Sequence, residues 1–313
     1  MNYPIKLISV AGPTASGKTK LAVELAKHYN GEIISADSMQ IYKGMSIATA
    51  KPDDEEKQGI PHHLMDFLPS DRAYSVADFV NDAAACIEDI VSRGKLPVIA
   101  GGTGLYINSL LNGISFEKQE RNEELCNELF ALYQQNGVEY LLDMLSQFDS
   151  ESADKLKQQR NVKRIIRAIE FYKTSGITIS EHNRQSKLQG SPYSPVKLGL
   201  KYEDRQRLYD KINLRVDLML EKGLLKEAEE VLSKNLSQTS KMAIGYKELI
   251  PYFKKERSLD ECVETLKRET RRYAKRQLTW FNRDTEINWI LVDRFNSFDD
   301  VLKYAETIID KGL

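Results

Sequence analysis

The stretch VAGPTASGKTKLA at residues 10–22 constrains the fold of this chain more than any other part of the sequence. It contains the pattern Gly-x-x-x-x-Gly-Lys-Thr from Gly12 to Thr19, between an apolar run typical of a buried strand and a stretch with helical periodicity. In such a loop the backbone N–H groups point at one anion, and the following helix adds the positive end of its dipole. Lys18 then reaches phosphate oxygens, and the Thr19 hydroxyl is placed to bind Mg²⁺. The pattern predicts a diphosphate site but leaves the rest of the ligand open.

Two further segments are predicted to end strands at the edge of the sheet that carries this loop. The run GEIISADS at 31–38 places Asp37 after a strand, and LPVIAGG at 96–102 places Thr103 in a glycine-rich turn. Asp37 could hold Mg²⁺ through water, accept a proton from a nucleophile, or cap the next turn. The Thr103 hydroxyl is suited to hydrogen-bond a phosphate oxygen, although a GGTG turn alone is a weak signal.

The alternation of strands and helices predicts an α/β fold with a parallel sheet core flanked by helices. After the third strand the sequence shows helical periodicity without a convincing strand, until VKLGLKY at 196–202 resumes the strand pattern. We therefore predict a P-loop core in two parts, at 1–116 and 196–313, with an all-helical insertion domain at 117–195. The basic C-terminal helices belong to the second part of the core.

The composition predicts a globular protein of a reducing compartment. Hydrophobic residues make up 41% of the chain and charged residues 29%, and no run of about 18 apolar residues occurs, so we expect no membrane contact. The three cysteines are far apart and form no C-x-x-C pair, and the N-terminal segment lacks the apolar core of a signal peptide. We expect a cytoplasmic monomer.

The net charge of −1 hides two strongly basic regions. Residues 160–215 carry thirteen bases and five acids, and the segment 267–281 carries six bases within ten residues. A cationic stripe at helical spacing in the first region is formed by Arg160, Lys163, Arg164 and Arg167. A solvated helix face usually mixes signs, because like charges at i, i+4 repel. Two such helices therefore favour a polyanionic ligand larger than a nucleotide.

Nine short blocks, in the same order over about 270 residues, carry a resemblance to one known family. The blocks are GPTASGKT (12–19), DSMQIY (37–42), TAKP (49–52), PHHLMD (61–66), YSVADF (74–79), GGTGLYI (101–107), KRIIRAIE (163–170), IGYKE (244–248) and RRYAKRQLTWF (271–281). Together they resemble the tRNA dimethylallyltransferases, of bacterial type because no C-terminal zinc finger is present. The resemblance implies a P-loop core with an inserted helical domain. It also implies transfer of a dimethylallyl group from dimethylallyl diphosphate to N6 of the adenosine 3′-adjacent to the tRNA anticodon.

The resemblance also implies roles for individual residues. Asp37 would accept the N6 proton, Thr103 would contact a diphosphate oxygen near the reacting carbon, and Arg205 would neutralise the diphosphate. The diphosphate would be held, with Mg²⁺, by Gly12, Pro13, Thr14, Ala15, Ser16, Gly17, Lys18 and Thr19. The pocket of the target base would be lined by Asp37, Ser38, Met39, Gln40 and Thr103. The anticodon stem-loop would be bound by Asn161, Val162, Lys163, Arg164, Ile165, Arg167, Arg271, Arg272, Lys275 and Arg276.

Two departures and two alternatives accompany this interpretation. The family often has an acid where this chain has Val162, and commonly has Arg directly after the Trp-Phe pair, where this chain has Asn282.

An ATP-dependent kinase of the same fold is the first alternative, but a kinase needs no cationic helices. Whether the phosphate loop binds ATP stays open. An RNA-binding protein without chemistry is the second, but it needs neither Asp37 nor a phosphate loop.

Overall fold

The computed structural model describes residues 4–114, 122–188 and 190–313. The strands are β1 (Ile5–Ala11), β2 (Gly31–Ser35), β3 (His62–His63), β4 (Leu96–Gly101), β5 (Tyr193–Lys201) and β6 (Asn288–Leu291). The helices are α1 (Lys18–His28), α2 (Asp54–Lys57), α3 (Val76–Ser92), α4 (Gly104–Leu111), α5 (Glu123–Ser146), α6 (Ser150–Gln159), α7 (Val162–Ser175), α8 (Ile179–Leu188), α9 (Arg205–Glu221), α10 (Leu224–Leu232), α11 (Ile250–Phe253), α12 (Leu259–Phe281) and α13 (Phe298–Gly312). Short 3₁₀ turns lie at Ser240–Met242, Lys247–Leu249 and Val292–Arg294.

Within these described ranges the strands form one parallel six-stranded sheet in the order β3-β2-β4-β1-β5-β6. The predicted α/β class with a parallel sheet is confirmed. The central strand β1 is buried over its last five residues, as expected for a strand covered on both faces. The strand β3 was not predicted, because its two residues, which pair with β2, are too few to leave a pattern in the sequence.

Side chains that alternate along the strands enter two separate cores. Leu7, Ile34 and Ile99 point into the core beneath α3, α4 and α12. Ile8 and Val98 point to the opposite face, where α1 and α13 cover the sheet. This two-sided burial explains why the strands read as nearly continuous apolar runs.

The chain divides into two compact units, one comprising Met1–Leu111 with Tyr193–Leu313 and the other Asn112–Pro192. The predicted insertion, 117–195, overlaps the start of β5. This strand begins at Tyr193 and not at Val196. Pro195 lies within this strand, where it pairs with Leu7 of β1. A proline is tolerated there because β6 joins β5 only from Leu198 onward.

The unit Asn112–Pro192 has its own hydrophobic core. It is formed by residues of α5, α6 and α7, including the fully buried Leu141 and Ile165. Asn122, Asp149 and Asn161 cap the helices α5, α6 and α7 through their side chains. In neither unit is a described helix long and apolar enough to cross a membrane.

Candidate active site

The phosphate loop connects β1 to α1, and its first glycine, Gly12, lies against Leu200 of β5. Gly17 adopts the left-handed region with φ 88°, which allows α1 to begin at Lys18. A Cβ atom at Gly12 would lie 2.8 Å from the carbonyl oxygen of Leu200, so only glycine fits there. The Ser16 hydroxyl is buried and has no hydrogen-bond partner among the described residues. A buried hydroxyl left unpaired in this loop is suited to an anionic ligand.

The ammonium group of Lys18 lies within this loop and donates to the carbonyl oxygen of Pro13 at 3.3 Å. Burial lowers the pKa of Lys18 to about 8, the positive charge of Arg215 contributes to the decrease, and Asp37 opposes it. The two cations therefore repel each other. A diphosphate would relieve this repulsion and favour the charged form of Lys18.

The sheet register brings Asp37 and Thr103 to the same edge as the phosphate loop. Ala11 pairs with Gly101 and Ser35 pairs with Ala100, so β1, β2 and β4 end side by side. This confirms that the strands carrying the two predicted site segments end at one edge.

One carboxylate oxygen of Asp37 caps the turn that follows β2. Oδ1 accepts from the backbone N–H of Met39 at 2.9 Å and of Gln40 at 3.3 Å. Oδ2 makes no hydrogen bond to any described residue. Asp37 also lines a cavity with Lys18, Thr19 and Arg215. Capping and chemistry are therefore compatible at Asp37, because each can use a different oxygen.

The Thr103 hydroxyl connects the glycine-rich turn after β4 to the segment after β2. Its Oγ1 accepts from the backbone N–H of Ser38 at 3.0 Å and donates to Ser38 Oγ at 3.3 Å. Burial together with the negative charge of Asp37 raises the pKa of Tyr273, which lines the same cavity. Thr103 thus organises the site through Ser38.

The side chain of Gln40 fixes a second loop at the site. Its Nε2 donates to the carbonyl oxygens of Thr49 and Ala50 at 3.2 and 3.1 Å. The carboxylate of Glu227 supports the same loop by accepting the backbone N–H groups of residues 46–48 at 2.7–3.0 Å. The loop therefore has a defined conformation at the cavity.

The cavity at this edge has a volume of about 270 Å³. Thr14 and Lys18 line one side, Asp37 and Met39 another, and α12 contributes Tyr273 to the wall. This arrangement places a cationic anion site, a carboxylate and apolar side chains around one space. Such a cavity suits a small ligand with a charged and an apolar end.

The arginine that α9 supplies to this cavity is Arg215, and the prediction of Arg205 is corrected. Arg215 is half-buried, lines the cavity and donates to the carbonyl oxygen of Ala50 at 3.4 Å. Burial lowers the pKa of Arg215, and the negative charges of Glu56 and Asp37 partly oppose this decrease. Arg205 is exposed at the first residue of α9 and does not line the cavity. Ten residues of helix separate the two side chains by about 15 Å.

Comparison with known proteins identifies the family. The sequence profile described as IPP transferase matches residues 40–284, and the profile described as isopentenyl transferase matches residues 5–71. A tRNA dimethylallyltransferase of Acetivibrio thermocellus is 49% identical over 299 residues, which cover 95% of each chain. The chain belongs to the tRNA dimethylallyltransferase family.

Solved structures agree with this dimethylallyltransferase assignment. The tRNA isopentenylpyrophosphate transferase of Staphylococcus epidermidis is 43% identical with a TM-score of 0.71, covering 98% of this chain and 99% of that one. A eukaryotic dimethylallyltransferase described as acting on tRNA is 28% identical with a TM-score of 0.81, covering 99% of this chain and 80% of that one. The P-loop core predicted for this family member is thereby confirmed.

The four cations predicted on α12 differ in their surroundings. Arg271 is half-buried and donates to Asn213 Oδ1 at 2.6 Å, and Arg272 pairs with Glu269 at 2.7 Å. Lys275 is exposed and forms no ion pair within the described residues. Arg276 lines the cavity, with its guanidinium 5.7 Å from the ring centre of Tyr273. Lys275 and Arg276 are therefore the two most available to an external polyanion.

The residues predicted to bind RNA in the insertion unit also differ in their exposure and in their ion pairs. Lys163 and Arg164 are exposed and line a cleft of about 960 Å³ between α6, α7 and α8. Arg167 lines it too, but forms an ion pair with the fully buried Glu170. Ile165 is fully buried in the core of this unit, so its side chain cannot contact RNA, and that prediction is corrected.

Asn161 and Val162 lie at the start of α7. The Asn161 side chain caps the helix by accepting from the backbone N–H of Arg164 at 3.2 Å, and Val162 is half-buried against the core of the unit. The acid missing at Val162 is therefore not needed to begin this helix.

Three residues that organise the site were not predicted from the sequence, namely Glu227, Tyr273 and Gln277. Tyr273 and Gln277 could have been predicted from the sequence. Their spacing of four residues places them on one face of a helix, with bases on its other side. Glu227 offered no signal, since it accepts backbone N–H groups from a loop about 180 residues earlier in the sequence.

Proposed function

We propose that this protein transfers the dimethylallyl group of dimethylallyl diphosphate to N6 of the adenosine 3′-adjacent to the tRNA anticodon. The observation that carries the proposal is that the phosphate-loop residues Lys18 and Thr19 line one cavity with the carboxylate of Asp37. In the reaction the bond between C1 of the allyl group and the diphosphate oxygen breaks, and a bond from N6 to C1 forms. Diphosphate leaves, and one proton is lost from N6.

The phosphate loop binds the leaving group in this proposal. An allylic diphosphate ionises readily once its developing negative charge is stabilised. Lys18, Arg215 and the N–H groups at the start of α1 supply that stabilisation at the cavity. The unpaired Ser16 hydroxyl is a further donor within the same loop. We therefore assign the neutralising role to Arg215 and not to Arg205.

Asp37 is the residue placed to receive the proton. Adenine N6 is a weak nucleophile whose acidity rises as the new bond forms, so the base is needed late in the step. Oδ1 of Asp37 is held by two backbone N–H groups, which leaves Oδ2 for the proton. Ser38, Met39 and Gln40 follow in the same turn, and we propose that they contact the base.

The residues at the site fit a Mg²⁺ ion that binds together with the diphosphate. The Thr19 hydroxyl and the Asp37 carboxylate line the same cavity, and oxygen donors are those that Mg²⁺ prefers. Among the described residues no cluster of three or more His, Cys, Asp or Glu side chains could hold a metal alone. Phosphate oxygens and water would therefore complete the ion's shell. The ion would neutralise charge on the leaving diphosphate.

The tRNA would contact cations in both units. Lys275 and Arg276 on α12, and Lys163 and Arg164 on α7, are exposed, and Arg276 also lines the cavity. The target base must leave the stack of the anticodon loop to reach Asp37, which costs a few kcal/mol. Contacts between cations and phosphates offset that cost.

The test is incubation of the protein with labelled dimethylallyl diphosphate, Mg²⁺ and unmodified tRNA. Label should appear on one adenosine of the tRNA. Asp37→Asn should slow single-turnover transfer by about 10²–10⁴-fold, the usual share of a general base. The asparagine keeps an oxygen to cap the turn, so tRNA affinity should stay within about twofold.

The same experiment separates this activity from phosphoryl transfer. If ATP is consumed while the tRNA stays unlabelled, the proposal is wrong. If Asp37→Asn transfers label at the normal rate, Asp37 has only its capping role.

A further inference from the structure

The side chain of Gln277 connects both glycine turns of the site from within α12. Its Oε1 accepts from the backbone N–H of Thr14 at 2.9 Å, and its Nε2 donates to the carbonyl oxygen of Gly102 at 3.0 Å. Thr14 belongs to the phosphate loop, and Gly102 directly precedes Thr103. Gln277 is buried, with 5% of its surface exposed. A single amide therefore joins the segments that follow β1 and β4.

The glycine at position 102 leaves the space that this amide fills. A Cβ atom there would lie 2.1 Å from Gln277 Nε2, and the nearest atom of any other residue would be the Gly12 carbonyl oxygen at 3.8 Å. Gly102 is not among the residues with positive φ, so its backbone would accept alanine. The tight contact at Gly102 is therefore with the Gln277 side chain alone.

Loss of the amide would leave two backbone groups of the site unpaired. A buried polar group without a partner is costly, so the Thr14 N–H and the Gly102 carbonyl would seek new partners by moving. Thr14 is four residues from Lys18, and a displacement of the loop would misplace the N–H groups that face the anion. Misplacement of about 1 Å is enough to weaken such a site strongly.

We propose that Gln277 is a positioning residue that holds the phosphate loop in its diphosphate-binding conformation by acting through Thr14 and Gly102. The identity of the ligand, dimethylallyl diphosphate, rests on the proposed function. The requirement for the amide rests on the two hydrogen bonds and on the space at Gly102.

The first test compares Gln277→Met with the unaltered protein by calorimetric titration with dimethylallyl diphosphate and Mg²⁺, without RNA. Methionine has a similar length but neither donates nor accepts like an amide, so we expect about tenfold weaker binding, or about 1.4 kcal/mol. In steady-state transfer the KM for dimethylallyl diphosphate should rise and that for tRNA should not. Gln206→Met, an exposed position whose side chain donates to Asp210, is the matched control and should bind normally.

The second test moves the amide without changing it. Gly102→Ala should displace the Gln277 side chain and weaken dimethylallyl diphosphate binding by a similar factor. The double variant should bind no more weakly than either single variant, because both remove the same link. Additive losses would overturn the proposal, and so would normal affinity in Gln277→Met. If Gln277→Met does not fold, normal affinity in Gly102→Ala is decisive against it.

Parallel titrations with inorganic diphosphate and Mg²⁺ keep this inference separate from the proposed function. If the unaltered protein fails to label tRNA, the proposed function is wrong. The comparison of diphosphate affinities between Gln277→Met and the unaltered protein still decides the role of the amide.

Discussion

Single residues of this site serve structure and chemistry through different atoms. Asp37 caps a turn with Oδ1 while Oδ2 makes no hydrogen bond to a described residue, and Thr103 links two loops with its hydroxyl. From the sequence alone, turn capping and proton transfer were alternative roles for Asp37. The geometry makes them compatible, because a carboxylate has two oxygens with separate surroundings.

The two arginines of α9 offer a direct test at this scale. Arg215→Ala should lower kcat/KM for dimethylallyl diphosphate by about 10²–10³-fold, because it removes a cation that stabilises the leaving group. Arg205→Ala should stay within about twofold, since its side chain is exposed and does not line the cavity. Steady-state kinetics at saturating tRNA measures both, and equal losses would contradict the assignment to Arg215.

The phosphate loop and Asp37 were located from the sequence, but the prediction named Arg205 where the structure places Arg215 at the cavity. The loop is a local pattern whose spacing is itself the requirement, so it can be read from the chain. Both arginines lie on one helix rich in bases. Which turn of that helix faces the site is decided by how α9 packs through Leu208, Ile212 and Val216.

At the scale of elements, α12 combines a site face with a cationic face. Tyr273 and Gln277 point toward the cavity, whereas Lys275 is exposed. The helix begins at a capping box formed by Ser258 and Glu261 and continues without interruption to Phe281. Its rigidity fixes the site residues relative to the cations that we propose to contact RNA.

Removal of Lys275 should therefore affect RNA binding alone. We expect Lys275→Ala to weaken tRNA binding and to reduce the slope of log affinity against log salt concentration by about one unit. The control is Lys303→Ala, an exposed lysine on α13, which covers the opposite face of the sheet. Filter binding at several salt concentrations measures the slope, and an unchanged slope for Lys275→Ala would exclude this helix face from the RNA contact.

At the scale of the whole molecule, the insertion unit has the features of an independent folding unit. Its core is formed by its own helices, and a Cβ atom at Gly113 would lie 2.9 Å from Pro192, so the two ends of the unit lie side by side. An insertion whose ends meet can be added to a loop without disturbing the core fold.

The excised segment 112–192 should therefore fold alone. We expect a helical circular dichroism spectrum and a cooperative thermal transition, and Ile165→Ala should lower the free energy of unfolding by about 2–5 kcal/mol. Lys163→Ala, an exposed change on the same helix, should leave that stability nearly unaltered. A spectrum of an unfolded chain would show that the segment depends on the rest of the protein.

The sequence by itself determined the α/β class, the helical insertion, the phosphate loop and the strands that carry Asp37 and Thr103. These features depend on local spacing and on alternating burial, which the chain records directly. Only the tertiary structure decided that Arg215 reaches the cavity, that Ile165 is buried, and that Gln277 links the two glycine turns. Those facts depend on which side of a helix packs inward and on contacts between residues as much as 263 positions apart, and no local pattern encodes them.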